Sequence, residues 1–235
     1  MLIIRAEHSL SRDMKSTSWW SIIKWYWDGK TLLRANFHEA LRRIPLLTGS
    51  IIDVGGTREP LSSYMSVLAV SETAKCVVVN ISPEAHPDLL ADAASLPVPD
   101  AAYDVALCFN LLEHVLQPDG VMTELARVIR TGGLCYIETP FLINIHANPH
   151  DYFRFTDTAL QAMAERVGFT VESITVLGGG PFLAALSLVQ PFIFRWFFVP
   201  LFLVVSVLDR IIFFLRPAWS ERWPLGYLVT CRKSA

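Results

Sequence analysis

Residues 146–154 read H-A-N-P-H-D-Y-F-R, which sets two histidines, an acid, a tyrosine and an arginine within nine positions. A mere connector has no need of that density. An imidazole that is neutral near pH 7 is the natural base for taking a proton from a hydroxyl. His150, with Asp151 beside it, is the first candidate for that task and His146 the second, while Tyr152 and Arg154 are suited to hold the molecule acted upon. A structural reading weighs equally: His150 capping a helix that begins near Thr156 or bonding to backbone, and Arg154 pairing with an acid.

A second constellation is S-I-I-D-V-G-G-T at 50–57. A buried strand that runs into a glycine turn lets the backbone approach a ligand closely, and the segment after it can aim amide N–H groups at an anion. That is the outline of a nucleotide-type pocket. The dinucleotide fingerprint G-x-G-x-x-G is not met, because Thr57 stands at its second glycine and Pro60 at its third. A nicotinamide cofactor is therefore disfavoured. Asp53, just ahead of the turn, also has a plain reading as a residue that satisfies local N–H groups.

The elements that must position these residues follow in order. V-V-V-N at 77–80 predicts a second buried strand ending in a polar residue, and L-A-D-A at 90–93 sets a carboxylate among small residues. Y-D-V-A-L-C-F-N at 103–110 predicts a further strand, followed by L-L-E-H-V, a helix over 120–130, the turn T-G-G at 131–133 and a strand over 134–138. Taken in order and spacing, D-V-G-G, A-D-A-x-x-L-P, Y-D-V-A, L-L-E-H-V and E-L-A-R-V-I-R-T-G-G resemble the class I, Rossmann-like S-adenosylmethionine-dependent methyltransferases. The resemblance covers roughly residues 48–180 plus a terminal strand. H-D-Y-x-R-F-T at 150–156 resembles a pattern of a bacterial small-molecule and glycan subset, often tied to cell-surface glycan or lipid pathways.

The resemblance implies an α/β fold, a Rossmann-like doubly wound seven-stranded sheet with helices on both faces. With it go a cofactor-binding core over 48–180 and a final antiparallel strand within 225–235, while helical spacing and hydropathy set an N-terminal helical cap over 1–47 and a hydrophobic helical insertion over 181–224. S-adenosyl-L-methionine is the implied cofactor. Asp53 would hold the amino group of its methionine moiety, with Gly55, Gly56 and Thr57 forming the turn against it. Asn80 would meet the ribose, where the family habit is an acid. Asp92 and Ala93 would lie near the adenine, with a turn or helix-start role as the competing account for Asp92. Asn110 and His114 would border the cofactor after the fourth strand, although helix-start packing suits His114 as well. Methyl transfer is an in-line displacement from an already activated donor, so positioning and exclusion of water matter more than acid–base machinery.

Charge excludes one class of partner. The net charge of −2 and pI near 6.3 give no basic field for nucleic acid. Cys76, Cys108, Cys135 and Cys231 fall mainly in predicted strands without C-x-x-C spacing, which favours buried free thiols over a disulfide framework, and no metal site is expected.

Hydropathy sets the remaining expectations. The chain is 52% hydrophobic with mean hydropathy +0.39, and much of the excess lies in residues 182–215. The longest uncharged run there, 196–208, is 13 residues, short of the roughly 18 that span a bilayer. Pro191 and Pro200 should break or kink helices. Two or so short helices lying in the membrane interface are expected, with a homodimer interface or a lid over the pocket as the alternative. Gly178, Gly179 and Gly180 read as a hinge into this segment. Trp19, Trp20, Trp25, Tyr26 and Trp27 precede a helical pattern of Leu33, Phe37, Ala40, Leu41 and Ile44, which predicts one or two helices on the edge of the sheet. The first ten residues lack a signal-peptide pattern, so the expected location is cytoplasmic, peripheral at the inner face of the membrane. The acceptor is expected to be a small-molecule, lipid-linked or glycan acceptor, methylated on oxygen. A membrane-associated binding or scaffold protein without turnover is the other reading, supported by Thr57 and Asn80.

Overall fold

The computed structural model describes residues 19–219 and 221–234; the first eighteen residues, including those read for a signal peptide, lie outside it. Helices α1 (Trp19–Trp27) and α2 (Leu32–Leu41) come first, then strands β1 (Ser50–Val54), β2 (Lys75–Asn80), β3 (Leu89–Leu90) and β4 (Tyr103–Phe109). Helix α3 (Pro118–Val128), β5 (Ile129–Pro140), α4 (Asp157–Arg166) and β6 (Phe169–Leu177) follow. Helices α5 (Pro181–Val189) and α6 (Arg195–Leu215) lead into β7 (Gly226–Lys233).

The seven strands form one sheet in the order β3-β2-β1-β4-β5-β7-β6. The first five pair in parallel, and β7 runs antiparallel between β5 and β6, with Tyr136 opposite Thr230 on one side and Val176 opposite Tyr227 on the other. The fold and its antiparallel last strand are as the motif order implied. After β1 the chain builds outward to β2 and β3, then returns past β1 to β4. That reversal opens a crevice at the C-terminal ends of β1 and β4, where ligands bind in such sheets.

Both faces are buried, as parallel strands require. Alternate residues such as Ile52, Ala106 and Ile137 meet α3 and α4 residues Val121, Leu125 and Leu160 on one face. Ile51, Leu107 and Tyr136 meet Phe37, Leu41 and Phe198 on the other. The N-terminal helices therefore lie on a face of the sheet and not on its edge. The physical reason is the width of the apolar stripe on α2, where Leu32, Leu33, Ala35, Phe37, Ala40 and Leu41 are all buried; an edge could not cover it. Thr31 opens α2 by accepting a hydrogen bond from the Arg34 amide at 3.3 Å.

Two local expectations change. The T-G-G run is no separate turn, because β5 already begins at Ile129; the register jumps from Tyr103 opposite Ile129 to Val105 opposite Leu134, a bulge that absorbs the glycines. Residues 195–215 form one unbroken helix of 21 residues with Pro200 inside it, in place of short pieces. Pro200 sits early in the helix and forfeits only the bond to the Trp196 carbonyl, while burial of Phe198, Phe202 and Val205 holds the following turns. Among the described residues α6 is the one helix long and apolar enough to cross a membrane. The four cysteines are free thiols, three of them buried.

Candidate active site

The crevice begins with the glycine turn after β1. Gly55 has φ +88°, a backbone conformation that side chains resist, and its amide donates to the Val79 carbonyl at 2.8 Å. A Cβ at Gly55 would meet Leu111 at 3.1 Å, and one at Gly56 would meet the Asp53 carboxylate at 2.1 Å and the Tyr64 hydroxyl at 2.9 Å. Only glycine fits in either place. Asn80 holds the turn from β2: its Nδ2 donates to the Gly55 and Gly56 carbonyls at 3.2 and 2.8 Å, and its Oδ1 accepts from the Ser82 amide at 2.9 Å.

Asp53 faces inward. It is fully buried, and the Tyr64 hydroxyl lies 2.8 and 2.9 Å from its two oxygens. Burial pushes its pKa up to about 7, against the opposing pull of the Tyr64 hydrogen bond and Arg58. The Asp53 carboxylate is thus buried against Tyr64 and lies close beneath the turn at Gly56. Thr57 is likewise occupied, its amide donating to Ser62 Oγ at 2.8 Å and its hydroxyl to the Pro60 carbonyl at 2.7 Å. Asp92 is exposed and accepts from the Ala94 amide at 2.9 Å, the turn role, with Ala93 buried beside it.

The other wall comes from the ends of β4 and β5. Asn110 takes a left-handed conformation, φ +50°, which a non-glycine residue adopts at a cost. Its amide donates to the Glu138 carbonyl at 3.0 Å and its side chain to the Glu138 carboxyl. Burial, reinforced by the charge of Glu113, pushes Glu138 up to about 8.

The polar centre of the crevice is Glu113. It is fully buried, and neither carboxylate oxygen has a hydrogen-bond donor among the described residues. His114 Nε2 lies 3.7 Å from Glu113 Oε1 and His146 Nε2 lies 3.8 Å from the same atom. The two imidazoles meet edge to face, centroids 4.9 Å apart. At these distances the contacts with Glu113 are electrostatic and not hydrogen bonds. Glu113, with Asp151 behind it, nonetheless raises the pKa of His146 against the effect of burial. Glu113 has no sequence signal beyond L-L-E-H-V, a run that singles out His114; its inward aim is a property of the turn after β4.

The loop over 146–154 is built differently from its sequence order. Asp151 pairs with Arg154 at 2.5 and 2.7 Å and accepts from the His146 amide at 2.9 Å, with His146 Nδ1 at 3.4 Å. Arg154 holds its carboxyl well below the usual range. His150, the first candidate base, is exposed and tilts against Tyr152, centroids 5.3 Å apart. Its role here is backbone: its carbonyl accepts from His114 Nδ1 at 2.5 Å. Thr156, not His150, caps α4, accepting from the Ala159 amide at 3.2 Å. The structure thus brings His146 and His114 to Glu113, joins Asp151 to Arg154, and leaves the His150 and Tyr152 side chains outside. Asp151 pairs with the adjacent guanidinium and stands behind His146, while Glu113 faces both imidazoles.

Over residues 28–174 the chain matches a family model described as a methyltransferase domain. A probable S-adenosylmethionine-dependent methyltransferase of Mycolicibacterium smegmatis is 32% identical over 100 residues, 40% of this chain. The chain spans 39% of the length of that curated relative. Among solved structures, the (4+2)-cyclase SpnF superposes with TM-score 0.55 at 15% identity, covering 86% of this chain and 81% of the cyclase. The 1,6-didemethyltoxoflavin-N1-methyltransferase of Burkholderia thailandensis, solved with 1,6-didemethyltoxoflavin and S-adenosylhomocysteine, superposes with TM-score 0.50 at 15% identity, covering 89% of this chain and 81% of that enzyme. Both likenesses are of fold.

Proposed function

The chain belongs to the class I, S-adenosylmethionine-dependent methyltransferase family, and from that premise we propose that it moves a methyl group onto a hydroxyl of an amphipathic, lipid-linked acceptor at a membrane surface. The observation that carries the cofactor assignment is the glycine turn at the sheet's reversal point, where a Cβ on Gly55 or Gly56 would close the cradle. S-adenosylmethionine, when bound, supplies a methyl group on a cationic sulfur that leaves as a neutral thioether. Gly55 and Gly56 would let the backbone lie against it, Asn80 would border the ribose while fixing the turn, and Asp92 with Ala93 would flank the adenine. The Glu113, His114 and His146 cluster is where a hydroxyl would be drawn in and its proton released, the task first assigned to His150.

The membrane part of the reading rests on α6. Its inward stripe, Phe198, Phe202, Val205 and Asp209, is buried, whereas Trp196, Phe197, Val204, Ile211 and Phe214 are each more than half exposed. A patch of this kind marks an interaction surface. β7 follows α6 yet pairs with β5 and β6, which precede it, so a lone crossing by α6 would divide the sheet between two sides of a bilayer. A helix lying along the surface satisfies both constraints, and four free thiols fit a reducing, cytoplasmic face.

The test is incubation of the full chain with methyl-labelled S-adenosylmethionine and membrane lipid extract, alongside calorimetry of cofactor binding. The expected result is saturable binding and label in the organic phase that resists mild alkali, as an ether does. Failure of the cofactor to bind would overturn the reading. Binding with no label passed to any extract would favour a scaffold without turnover.

A further inference from the structure

We propose that Glu113, His114 and His146 form a binding site for one divalent transition-metal cation of the zinc, manganese or iron(II) class. Three observations converge on this cluster. The first is an unexplained cost: Glu113 is fully buried with both oxygens lacking hydrogen-bond donors and only the two imidazoles, 3.7 and 3.8 Å away, to face it, and a buried carboxylate without hydrogen bonds is costly for a protein interior. A cation at the carboxylate would remove that cost.

The second is the state of the imidazoles. The His150 carbonyl can only accept, so His114 Nδ1, 2.5 Å away, carries the proton. In a neutral ring Nε2 is then left with a free lone pair, and it is Nε2 that lies 3.7 Å from Glu113. His146 places Nε2 3.8 Å from Glu113 and Nδ1 3.4 Å from the buried Asp151 carboxylate, near it but without a hydrogen bond to any described residue. A ligating histidine whose other nitrogen is oriented by a carbonyl or a carboxylate is the recurrent outer-shell arrangement of metal sites.

The third is spacing. One donor atom from each of the three residues lies within 4.8 Å of the other two. Ligands about 2.1 Å from a tetrahedral ion are about 3.4 Å apart, so closing the site takes small side-chain shifts. Two imidazole nitrogens with one carboxylate select borderline transition cations over magnesium or calcium, which prefer oxygen sets. Three protein ligands leave room for an exogenous oxygen, as in catalytic sites.

Leu111, two residues before Glu113, packs against Gly55, which sets the cluster beside the glycine turn. A cation there would hold an acceptor oxygen and lower its pKa. That use rests on the methyl-transfer reading; the site itself does not.

The experiment uses the full chain freed of metal with a chelator and titrated with cobalt(II), read by visible absorption, then by competition with zinc. The expected result is one saturable site per chain, displaced by zinc, with a rise in melting temperature on loading. Glu113→Gln and His146→Gln should each weaken binding about tenfold or more and abolish the thermal shift, while His86→Asn, an exposed histidine elsewhere, should change neither. Glu113→Gln removes a buried charge and should fold at least as stably as the metal-free parent, so its loss of binding cannot be loss of structure. Absence of saturable binding, or binding that survives both substitutions together, would overturn the site. Methyl transfer in a chain that binds no cation would sink this inference alone, and cation binding in a chain without methyl transfer would sink only the proposed activity.

Discussion

The Tyr64 hydroxyl lies 2.8 and 2.9 Å from the two carboxylate oxygens of Asp53, and both side chains are buried beneath the glycine turn. Tyr64→Phe would leave a buried carboxyl without its donor, at a cost of about 1–3 kcal/mol in denaturant unfolding. Because Asp53 and Tyr64 both stand beneath Gly56, we predict that Tyr64→Phe and Asp53→Ala weaken S-adenosylmethionine binding to a similar degree in calorimetry. A loss confined to Asp53→Ala would make Asp53 a direct ligand.

Glu138 sets a pH dependence. Its folded pKa, about 8, stands above the ordinary 4.5, burial being the main cause. The folded chain therefore keeps a proton that the unfolded chain has lost, and stability declines as pH rises across that window, by up to about 1.4 kcal/mol per unit. Glu138→Gln removes the titration, so thermal melts from pH 5 to pH 9 should fall less steeply than in the parent. Parallel curves would show that Glu138 does not titrate in this range.

Asp209 ties α6 to α5. Its carboxylate accepts from the Phe182 and Leu183 amides at 3.1 and 2.8 Å, capping the start of α5. Asp209→Ala should cost about 1–2 kcal/mol and speed hydrogen exchange at those two amides. Gly180→Ala should be worse, since Gly180 has φ +110° and a Cβ there would meet the Asp209 carboxyl at 2.3 Å. Unchanged exchange in Asp209→Ala would remove the cap.

The outward face of α6 is tested by flotation with phospholipid vesicles. The parent should float with them and be released by detergent more readily than by salt, because apolar contact is insensitive to screening. Phe197→Glu and Phe214→Glu, on residues 70% and 86% exposed, should abolish flotation without lowering the melting temperature. A soluble dimer that ignores vesicles would assign the face to a second subunit, and the lipid-linked acceptor would fall with it.

The parts of this protein legible from sequence are those whose determinants adjoin along the chain. Strand β1 and its glycine turn are written in eight consecutive residues, and the final strand in the run around 227–231, because a short continuous apolar run and a positive-φ glycine are local requirements. The order of the motifs then implied the sheet. Which side chains meet in the crevice is another matter. Asp53 and Tyr64 are 11 residues apart, Asp209 and Phe182 27 apart, and Glu113 and His146 lie on separate segments that follow the paired strands β4 and β5. His150 and Asp151, adjacent in sequence, part company because Arg154 takes the acid, while burial forces Asp53 onto Tyr64 and leaves Glu113 facing two imidazoles. Neighbouring residues determine backbone shape; tertiary structure alone decides which buried charge finds a partner, since that depends on which strand ends lie side by side and on the cost of leaving a charge unpaired.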